Sequence, residues 1–219
     1  MPKVAITGAG TGLGKALAFE YAKHGYTVYL LGRRNNPLQL VQHQLIQNGF
    51  DAEVVLCDVR EDASIQIAFQ RIGELDVFIN NAGTGVFGPV EDYTVDDIDN
   101  TLDTNVKGTI LAVQAALPLI RKSKGRILTI ISTAGIRGKV NESLYCASKF
   151  AIRGFTESLQ KEWEDEDFSI TAVYMGGMNT PFWSNSHHVN DPSRLKSPEV
   201  VAKQIYAEDD GRLEIVIDK

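Results

Sequence analysis

Short apolar runs rich in β-branched residues alternate along the chain with longer stretches of helical periodicity. Most of the short runs are apolar throughout, which is typical of strands buried on both faces of a sheet. Seven strands are predicted, at residues 4–7, 27–31, 52–57, 76–79, 126–131, 169–174 and 213–217. Because strands and helices alternate, we expect an α/β fold of βαβ units, with a doubly wound parallel sheet and helices on both faces.

Capping residues and glycines mark the ends of the predicted helices. The helices are expected at residues 13–24, from Asn36-Pro37 to Gly49, from near Thr94 for more than twenty residues, from 141–143 to about 163, and onward from Ser197-Pro198. The spacing of Thr94 and Asp97 predicts a capping box. Since no linker or repeat divides the 219 residues, we expect one domain spanning 1–219.

Charge and composition narrow the range of partners. The chain has 22 basic and 28 acidic residues, a net charge of −6, which disfavours nucleic acid as a partner. The longest apolar stretch, residues 109–120, is too short to span a bilayer, and the first ten residues lack the apolar region of a signal peptide. Cys57 and Cys146 are expected to be buried thiols rather than a disulfide. We therefore expect a cytoplasmic protein with no membrane association.

A glycine-rich turn, TGAGTGLG, joins the first strand to the first helix at residues 7–14. In that position, backbone N–H groups and the helix N-terminus can receive a pyrophosphate. The G-x-G-x-x-G pattern fails at Leu13, and a Walker A loop fails at Ala9 and Ala16. The pattern T-G-x-x-x-G-x-G fits at every fixed position: Thr7, Gly8, Gly12 and Gly14. A turn that merely connects strand and helix is the alternative interpretation.

Three polar side chains suit carbonyl chemistry. Ser132 follows the fifth strand, and Tyr145 and Lys149 are four residues apart on one face of a predicted helix. Reduction of a carbonyl forms an alkoxide, and Tyr145 can protonate it if its pKa falls from about 10 towards neutrality. We expect the Lys149 ammonium to lower this pKa, and Ser132 to donate a hydrogen bond to the developing oxyanion. Alone, each residue could equally be a packing or surface residue.

The glycine turn, the Y-x-x-x-K spacing and Ser132 together resemble the short-chain dehydrogenase/reductase family, in its single-domain branch, over nearly the whole chain. The resemblance implies a Rossmann-type fold and a catalytic tetrad of Ser132, Tyr145, Lys149 and Asn105. It also implies that Lys149 binds the nicotinamide ribose and that Asn105 helps to hold a proton-relaying water. The expected activity is an NADP(H)-dependent interconversion of a carbonyl and an alcohol; a non-catalytic, redox-sensing dinucleotide-binding protein is the alternative.

The same resemblance assigns the cofactor contacts. They are Thr7, Gly8, Gly12, Leu13, Gly14, Arg33, Arg34, Asp58, Asn80, Ala82, Gly83, Tyr145, Lys149 and Thr180. Relatives that prefer NAD carry Asp or Glu where this chain has Gly32, and the two arginines that follow would attract a 2′-phosphate. NADP(H) is therefore predicted as the preferred cofactor, with NAD(H) possible. Asp58 has a second interpretation, as a cap for the helix that starts near Asp62.

Residues 181–197 take the position of the family's substrate lid, and their short length favours a small carbonyl or alcohol substrate. The expected pocket residues are Phe87, Val140, Leu144, Met178, Phe182 and Trp183. The pair His187-His188 has no accompanying Cys or acidic ligand, so we expect solvated side chains and no metal site. By resemblance, the two long helices, around residues 105–120 and 143–163, pack between subunits, which predicts a homodimer or homotetramer.

Overall fold

The computed structural model describes residues 1–184, 186 and 188–217. Seven parallel strands form one sheet in the order β3-β2-β1-β4-β5-β6-β7. Their bounds are β1 Lys3–Thr7, β2 Thr27–Gly32, β3 Ala52–Leu56, β4 Val77–Asn80, β5 Arg126–Ile130, β6 Ser169–Met175 and β7 Glu214–Ile217. This is the doubly wound Rossmann-type arrangement, and it confirms the predicted fold class.

Seven α-helices connect or follow these strands in the part of the chain that is described. They are α1 Gly12–Lys23, α2 Asn35–Gln47, α3 Asp62–Ile72, α4 Val95–Leu102, α5 Gly108–Ser123, α6 Ser143–Glu162 and α7 Pro198–Ala207. The predicted start of α2 is wrong in detail, because Arg34 is the N-cap and makes no side-chain capping bond. The cap at Ser197 is confirmed, since its hydroxyl accepts a hydrogen bond from the Val200 amide.

The long helix expected from Thr94 is present, with an irregularity. The capping box is confirmed, because the Asp97 amide donates to Thr94 and the Thr94 amide donates to the Asp97 carboxylate. Helices α4 and α5 run on from each other through a π-helical turn at Asp103–Lys107. Such a turn widens the helix by one residue, and it carries Asn105.

Two apolar layers lie on opposite faces of the sheet. On β1, Val4 and Ile6 pack in the layer under α1, α2 and α7, whereas Ala5 packs in the layer under α3, α5 and α6. Strands with apolar side chains on both faces are therefore buried on both faces, as their unbroken apolar pattern predicted. Cys57 and Cys146 are buried free thiols, which confirms that expectation.

The strand order reverses between β1 and β4, which are neighbours in the sheet although β2 and β3 lie between them in sequence. From this point the chain leaves β1 towards one face and β4 towards the other, so a crevice opens at the carboxyl ends of the strands. The glycine turn after β1, the loop after β4 and Ser132 after β5 all lie at this edge. The topology thereby brings together segments that are distant in sequence.

Candidate active site

A cleft of about 1430 Å³ occupies this edge of the sheet. It extends from Arg33 and Arg34 after β2, past the glycine turn, to Tyr145 and Trp183. The predicted site residues that line it are Gly8, Gly12, Leu13, Gly14, Arg33, Arg34, Asp58, Ala82, Gly83, Ser132, Tyr145, Lys149 and Thr180. The cleft is larger than a typical pocket for one small ligand, and its volume suits a dinucleotide together with a substrate.

The glycine turn has the conformation that a phosphate cradle needs. Gly8 and Gly12 have φ of +67° and +54°, values that favour glycine. A Cβ on Gly14 would lie 2.3 Å from the Gly8 carbonyl oxygen, so α1 can start this close to β1 only with glycine there. The N-cap Thr11 makes no side-chain capping bond, and the first turn of α1 has no acidic residue. The helix N-terminus therefore presents uncapped N–H groups to the cleft, which fits a pyrophosphate.

Thr7 and Asn80 lie one layer behind the cleft wall, and their expected role as cofactor contacts stays a prediction. Both are buried, and neither lines the cleft. The Thr7 hydroxyl accepts hydrogen bonds from the amides of Asn81 and Ala82, each at 2.9 Å. The Asn80 side chain donates to the Thr109 carbonyl on α5 at 3.0 Å. These bonds fix the loop after β4 against β1, so both residues shape the wall that a ligand would touch.

Asp58 lies on the cleft surface, but it does not cap α3. The N-cap of α3 is Glu61, which makes no side-chain capping bond. Instead the Asp58 carboxylate accepts hydrogen bonds from the Arg60 amide at 3.1 Å and from its guanidinium at 3.0 and 2.7 Å. These bonds hold the pKa of Asp58 below its usual value. Arg60 also lines the cleft, and the sequence analysis missed it.

Ser132 has a strained backbone at the end of β5. Its φ is +115° and its ψ is 154°, a conformation that non-glycine residues rarely adopt. The side chain is buried, and its hydroxyl accepts a hydrogen bond from the Ala134 amide at 3.2 Å. Strain of this kind persists where the surrounding structure enforces it, and it is concentrated at functional sites.

Tyr145 and Lys149 share one face of α6 as predicted, and they meet Ser132 in the cleft. Tyr145 and Ser132 both line the cleft, and the Ser132 side chain favours the ionised form of the Tyr145 phenol, which lowers its pKa. The Lys149 ammonium donates to the Ile130 carbonyl at 3.0 Å and lies 5.7 Å from the centre of the Tyr145 ring. Tyr145 is 8% exposed and Lys149 is 6% exposed, so both polar groups are held out of bulk water.

Burial changes the expected electrostatics of this pair. It raises the pKa of Tyr145 well above its ordinary value, and the Ser132 side chain only partly opposes it. It lowers the pKa of Lys149 to about 8. The expectation that Lys149 lowers the pKa of Tyr145 is therefore wrong for the protein alone, because desolvation of the buried phenolate is the largest effect on this group and raises its pKa.

Asn105 is held rigidly in the π-helical turn. Its side-chain oxygen accepts from the Thr84 amide at 2.8 Å, and its amide donates to the Thr84 carbonyl at 2.8 Å and to the Ser148 hydroxyl at 3.0 Å. It does not line the cleft itself. A Cβ on Gly83 would lie 3.4 Å from the Asn105 oxygen and 3.8 Å from the Lys149 nitrogen, so Gly83 leaves open the space between them.

Four of the six expected pocket residues line the cleft. Phe87, Met178, Phe182 and Trp183 line the cleft, whereas Val140 and Leu144 do not. Val140 is 83% exposed in the turn before α6. Leu144 is buried next to Tyr145 in the helix, and successive helical residues point about 100° apart, so it faces away from the cleft.

His188 corrects the expectation of a solvated histidine pair. Its Nε2 lies 2.9 Å from a carboxylate oxygen of Glu142, and its ring stacks on Phe87 at 4.9 Å. The neighbouring His187 lies outside the described residues. Glu142 and His188 both line the cleft, and they are 46 residues apart in sequence, so no local pattern could have linked them.

The described residues provide neither a cluster of metal ligands nor a membrane-spanning helix. No group of three or more His, Cys, Asp or Glu side chains there is arranged to hold a metal ion. None of the helices described has the length and apolar character that a membrane span requires.

Comparison with known proteins gives consistent matches. A family model for short-chain dehydrogenases matches residues 2–191. An uncharacterised oxidoreductase of Staphylococcus aureus strain MW2 is 35% identical over 207 residues, which are 92% of this chain and 88% of that relative.

Two solved structures share the fold over almost their full lengths. An alcohol dehydrogenase of the archaeon Thermococcus sibiricus, complexed with 5-hydroxy-NADP, matches with a TM-score of 0.90 and 24% identity, over 99% of this chain and 96% of that one. A variant of the actinorhodin polyketide ketoreductase with NADPH matches with a TM-score of 0.89 and 25% identity, over 99% and 95% of the two chains.

Proposed function

The chain belongs to the short-chain dehydrogenase family of oxidoreductases, and from this we propose that it interconverts a small carbonyl compound and its alcohol with NADP(H). The observation that carries the proposal is that Ser132, Tyr145 and Lys149 line the same cleft as the glycine turn. The same cleft therefore offers a dinucleotide cradle and a proton donor.

The residues present fit a nicotinamide dinucleotide. The uncapped N-terminus of α1 suits the pyrophosphate, Lys149 and Tyr145 suit the nicotinamide ribose, and Thr180, which touches the glycine turn beside Gly12, suits the nicotinamide carboxamide. When bound, this cofactor supplies or accepts the hydride. The ketoreductase that this chain resembles contains NADPH, which supports the same class of cofactor here.

The preference for NADP(H) rests on the charges after β2. Arg33 and Arg34 are exposed and line the cleft, and Gly32 stands where an acidic side chain would otherwise accept from a ribose hydroxyl. Arg60 pairs with Asp58 nearby, so this carboxylate is neutralised rather than left to repel a phosphate. Guanidinium groups bind phosphate by charge-assisted hydrogen bonds, and a 2′-phosphate is what distinguishes NADP from NAD.

Proton transfer is assigned to Tyr145. Burial keeps its phenol protonated at neutral pH, so the hydroxyl can donate a proton to the oxygen of a reduced carbonyl. Ser132 donates a hydrogen bond to the same oxygen from its strained position at the end of β5. The charged form of Lys149 stabilises the phenolate that remains, and Asn105 fixes the loop at Thr84 beside them.

A non-catalytic redox sensor on the same fold is the second candidate. It would need the glycine turn and the arginines, but it would not need Ser132 in a strained conformation or Lys149 buried with its pKa lowered to about 8. Both features cost folding free energy. Their presence beside Tyr145 favours the enzyme.

The test is a screen of small ketones, aldehydes and quinones, followed as loss of NADPH absorbance and repeated with NADH. We expect reduction of at least one class with NADPH, and a lower kcat/KM with NADH. The variant Arg33→Ala/Arg34→Ala should lose roughly 10- to 100-fold in NADPH affinity, the value of hydrogen bonds to a charged group. Arg71→Ala, on an exposed arginine outside the cleft, is the matched control.

Equal use of NADH and NADPH would contradict the cofactor preference. Tight NADPH binding without reduction of any carbonyl would favour the sensor.

A further inference from the structure

Five aromatic rings stand together on the substrate side of the cleft, and we call them the aromatic wall: Phe87, Tyr145, Phe182, Trp183 and His188. Phe87 is at the centre, with its ring centre 5.7 Å from Tyr145, 5.7 Å from Phe182, 5.1 Å from Trp183 and 4.9 Å from His188. The His188 ring lies nearly parallel to that of Phe87, with 10° between their planes. The wall is thus a continuous surface of π-faces and ring edges.

The position of Tyr145 in this wall indicates which part of a substrate would touch it. Its hydroxyl must reach the carbonyl oxygen, while its ring contacts Phe87 and Phe182 at 5.7 Å each. A group bonded directly to the carbonyl carbon therefore lies beside these rings. Aromatic pairs prefer offset-stacked or edge-to-face contacts, and such contacts add to ordinary burial of apolar area.

One carboxylate holds the outer ring of the wall in place. Glu142 is 7% exposed and stands three residues before Tyr145, immediately before α6. One of its oxygens lies 2.9 Å from His188 Nε2, and the other lies 3.7 Å from the Lys139 ammonium. Because the Glu142 carboxylate pairs with the Lys139 ammonium, it does not offer a substrate an uncompensated negative charge.

We propose that the site accepts uncharged carbonyl compounds with a flat aromatic group on the carbonyl carbon, and that Glu142 is a positioning residue that holds the His188 ring in the aromatic wall. The proposal rests on the proposed function and adds the substrate class. Without the Glu142 carboxylate, the His188 ring loses the hydrogen bond that orients it against Phe87. The wall then loses the nearly parallel contact between His188 and Phe87, and a planar substrate binds less well.

Benzaldehyde and cyclohexanecarbaldehyde test the substrate class, because they differ in the flatness of the ring on the same carbonyl. With NADPH, the ratio of their kcat/KM values is measured in the wild type and in Phe87→Leu, which keeps apolar bulk without a ring. Comparing the two proteins cancels the intrinsic reactivity of the aldehydes. The ratio is kcat/KM for benzaldehyde divided by kcat/KM for cyclohexanecarbaldehyde. We expect Phe87→Leu to lower it roughly 2- to 10-fold.

Glu142→Ala tests the positioning role. We expect its KM for benzaldehyde to rise about tenfold, the value of one charge-assisted hydrogen bond, while kcat falls less than threefold. Glu142→Gln retains an oxygen that can accept from His188, so it should recover most of the wild-type KM. Glu162→Gln, on an exposed carboxylate at the far end of α6, is the matched control. NADPH affinity, read from nicotinamide fluorescence, should be the same in all four proteins.

Three results with the variants would overturn the inference. They are an unchanged aldehyde ratio in Phe87→Leu, a benzaldehyde KM in Glu142→Ala within twofold of wild type, and a Glu142→Gln enzyme as impaired as Glu142→Ala. Reduction of cyclohexanecarbaldehyde but not benzaldehyde would overturn the inference and leave the proposed function standing. Absence of any NADPH-dependent reduction in the whole screen would contradict both.

Discussion

Lys149 is buried beside the Tyr145 phenol, and its protonation state affects the free energy of unfolding. Burial lowers its pKa to about 8, against an ordinary value of 10.5. The folded protein therefore binds this proton less tightly than the unfolded chain does. The cost of burying the charge is present in full below pH 8 and disappears as the pH rises towards 10.5, so this residue makes stability increase with pH across that window.

Replacing Lys149 should remove this pH dependence. In the protein without ligand, Lys149→Met should be more stable than wild type near pH 7, by up to about 3 kcal/mol, and the difference should shrink between pH 8 and 10.5. Urea unfolding at several pH values measures it. Lys149→Gln should give the same trend, which separates the charge from the apolar replacement. A stability difference that stays constant over this pH range would contradict the assigned pKa.

At the scale of residues, the sequence predicted those positions whose chemistry depends on local spacing. Tyr145 and Lys149 share a helical face because they are four residues apart, and the structure places them so. The contact between Glu142 and His188 joins segments that are 46 residues apart, and the positive φ of Ser132 occurs at a residue that is not glycine. Neither leaves a local pattern, so neither could be read from the sequence.

Helix α1 starts very close to the turn that follows β1, and the position of the helix depends on this close approach. A Cβ on Gly14 would lie 2.3 Å from the Gly8 oxygen and 2.7 Å from the Asn81 side-chain nitrogen. Real Cβ atoms do not approach backbone this closely, so any side chain at residue 14 must push the helix away from the turn. This displacement of the helix would widen the cradle for the pyrophosphate.

Gly14→Ala should therefore lower both stability and ligand binding. We expect a loss of about 1–3 kcal/mol in the free energy of unfolding, as for other overpacked sites, together with a clear loss of NADPH affinity. Urea unfolding and nicotinamide fluorescence measure the two effects. Gly154→Ala is the matched control, because a Cβ there meets nothing within 4 Å inside α6. It should stabilise the helix by about 0.5–1 kcal/mol. Equal behaviour of the two variants would contradict the proposed cradle.

At the scale of elements, the seven strands and the helix starts at Thr94 and Ser197 followed from apolar pattern and capping chemistry. The π-helical turn at Asp103–Lys107 did not. A π-turn gives up regular helix hydrogen bonds, and here the Asn105 side chain binds Thr84 and Ser148 on other segments. These tertiary contacts are absent from the periodicity of residues 94–123.

At the scale of the whole molecule, the parallel sheet decides where chemistry can occur. All seven strands point the same way, so the residues that follow β1, β4 and β5 meet at one edge. The alternation of strands and helices predicted that edge. The sequence motifs predicted that the glycine turn, Ser132, Tyr145 and Lys149 lie there. The homodimer or homotetramer expected from the family stays a prediction.

In the proposed reaction, hydride and proton both reach a carbonyl in this cleft, with Tyr145 as the proton donor. The decisive measurement is single-turnover transfer from NADPH deuterated at the transferable position, with the product alcohol analysed by mass spectrometry. Wild type should place one deuterium on the carbonyl carbon, and Tyr145→Phe should do so about 10²- to 10⁴-fold more slowly while still binding NADPH. Transfer by Tyr145→Phe at the wild-type rate, or an alcohol without deuterium, would contradict the account.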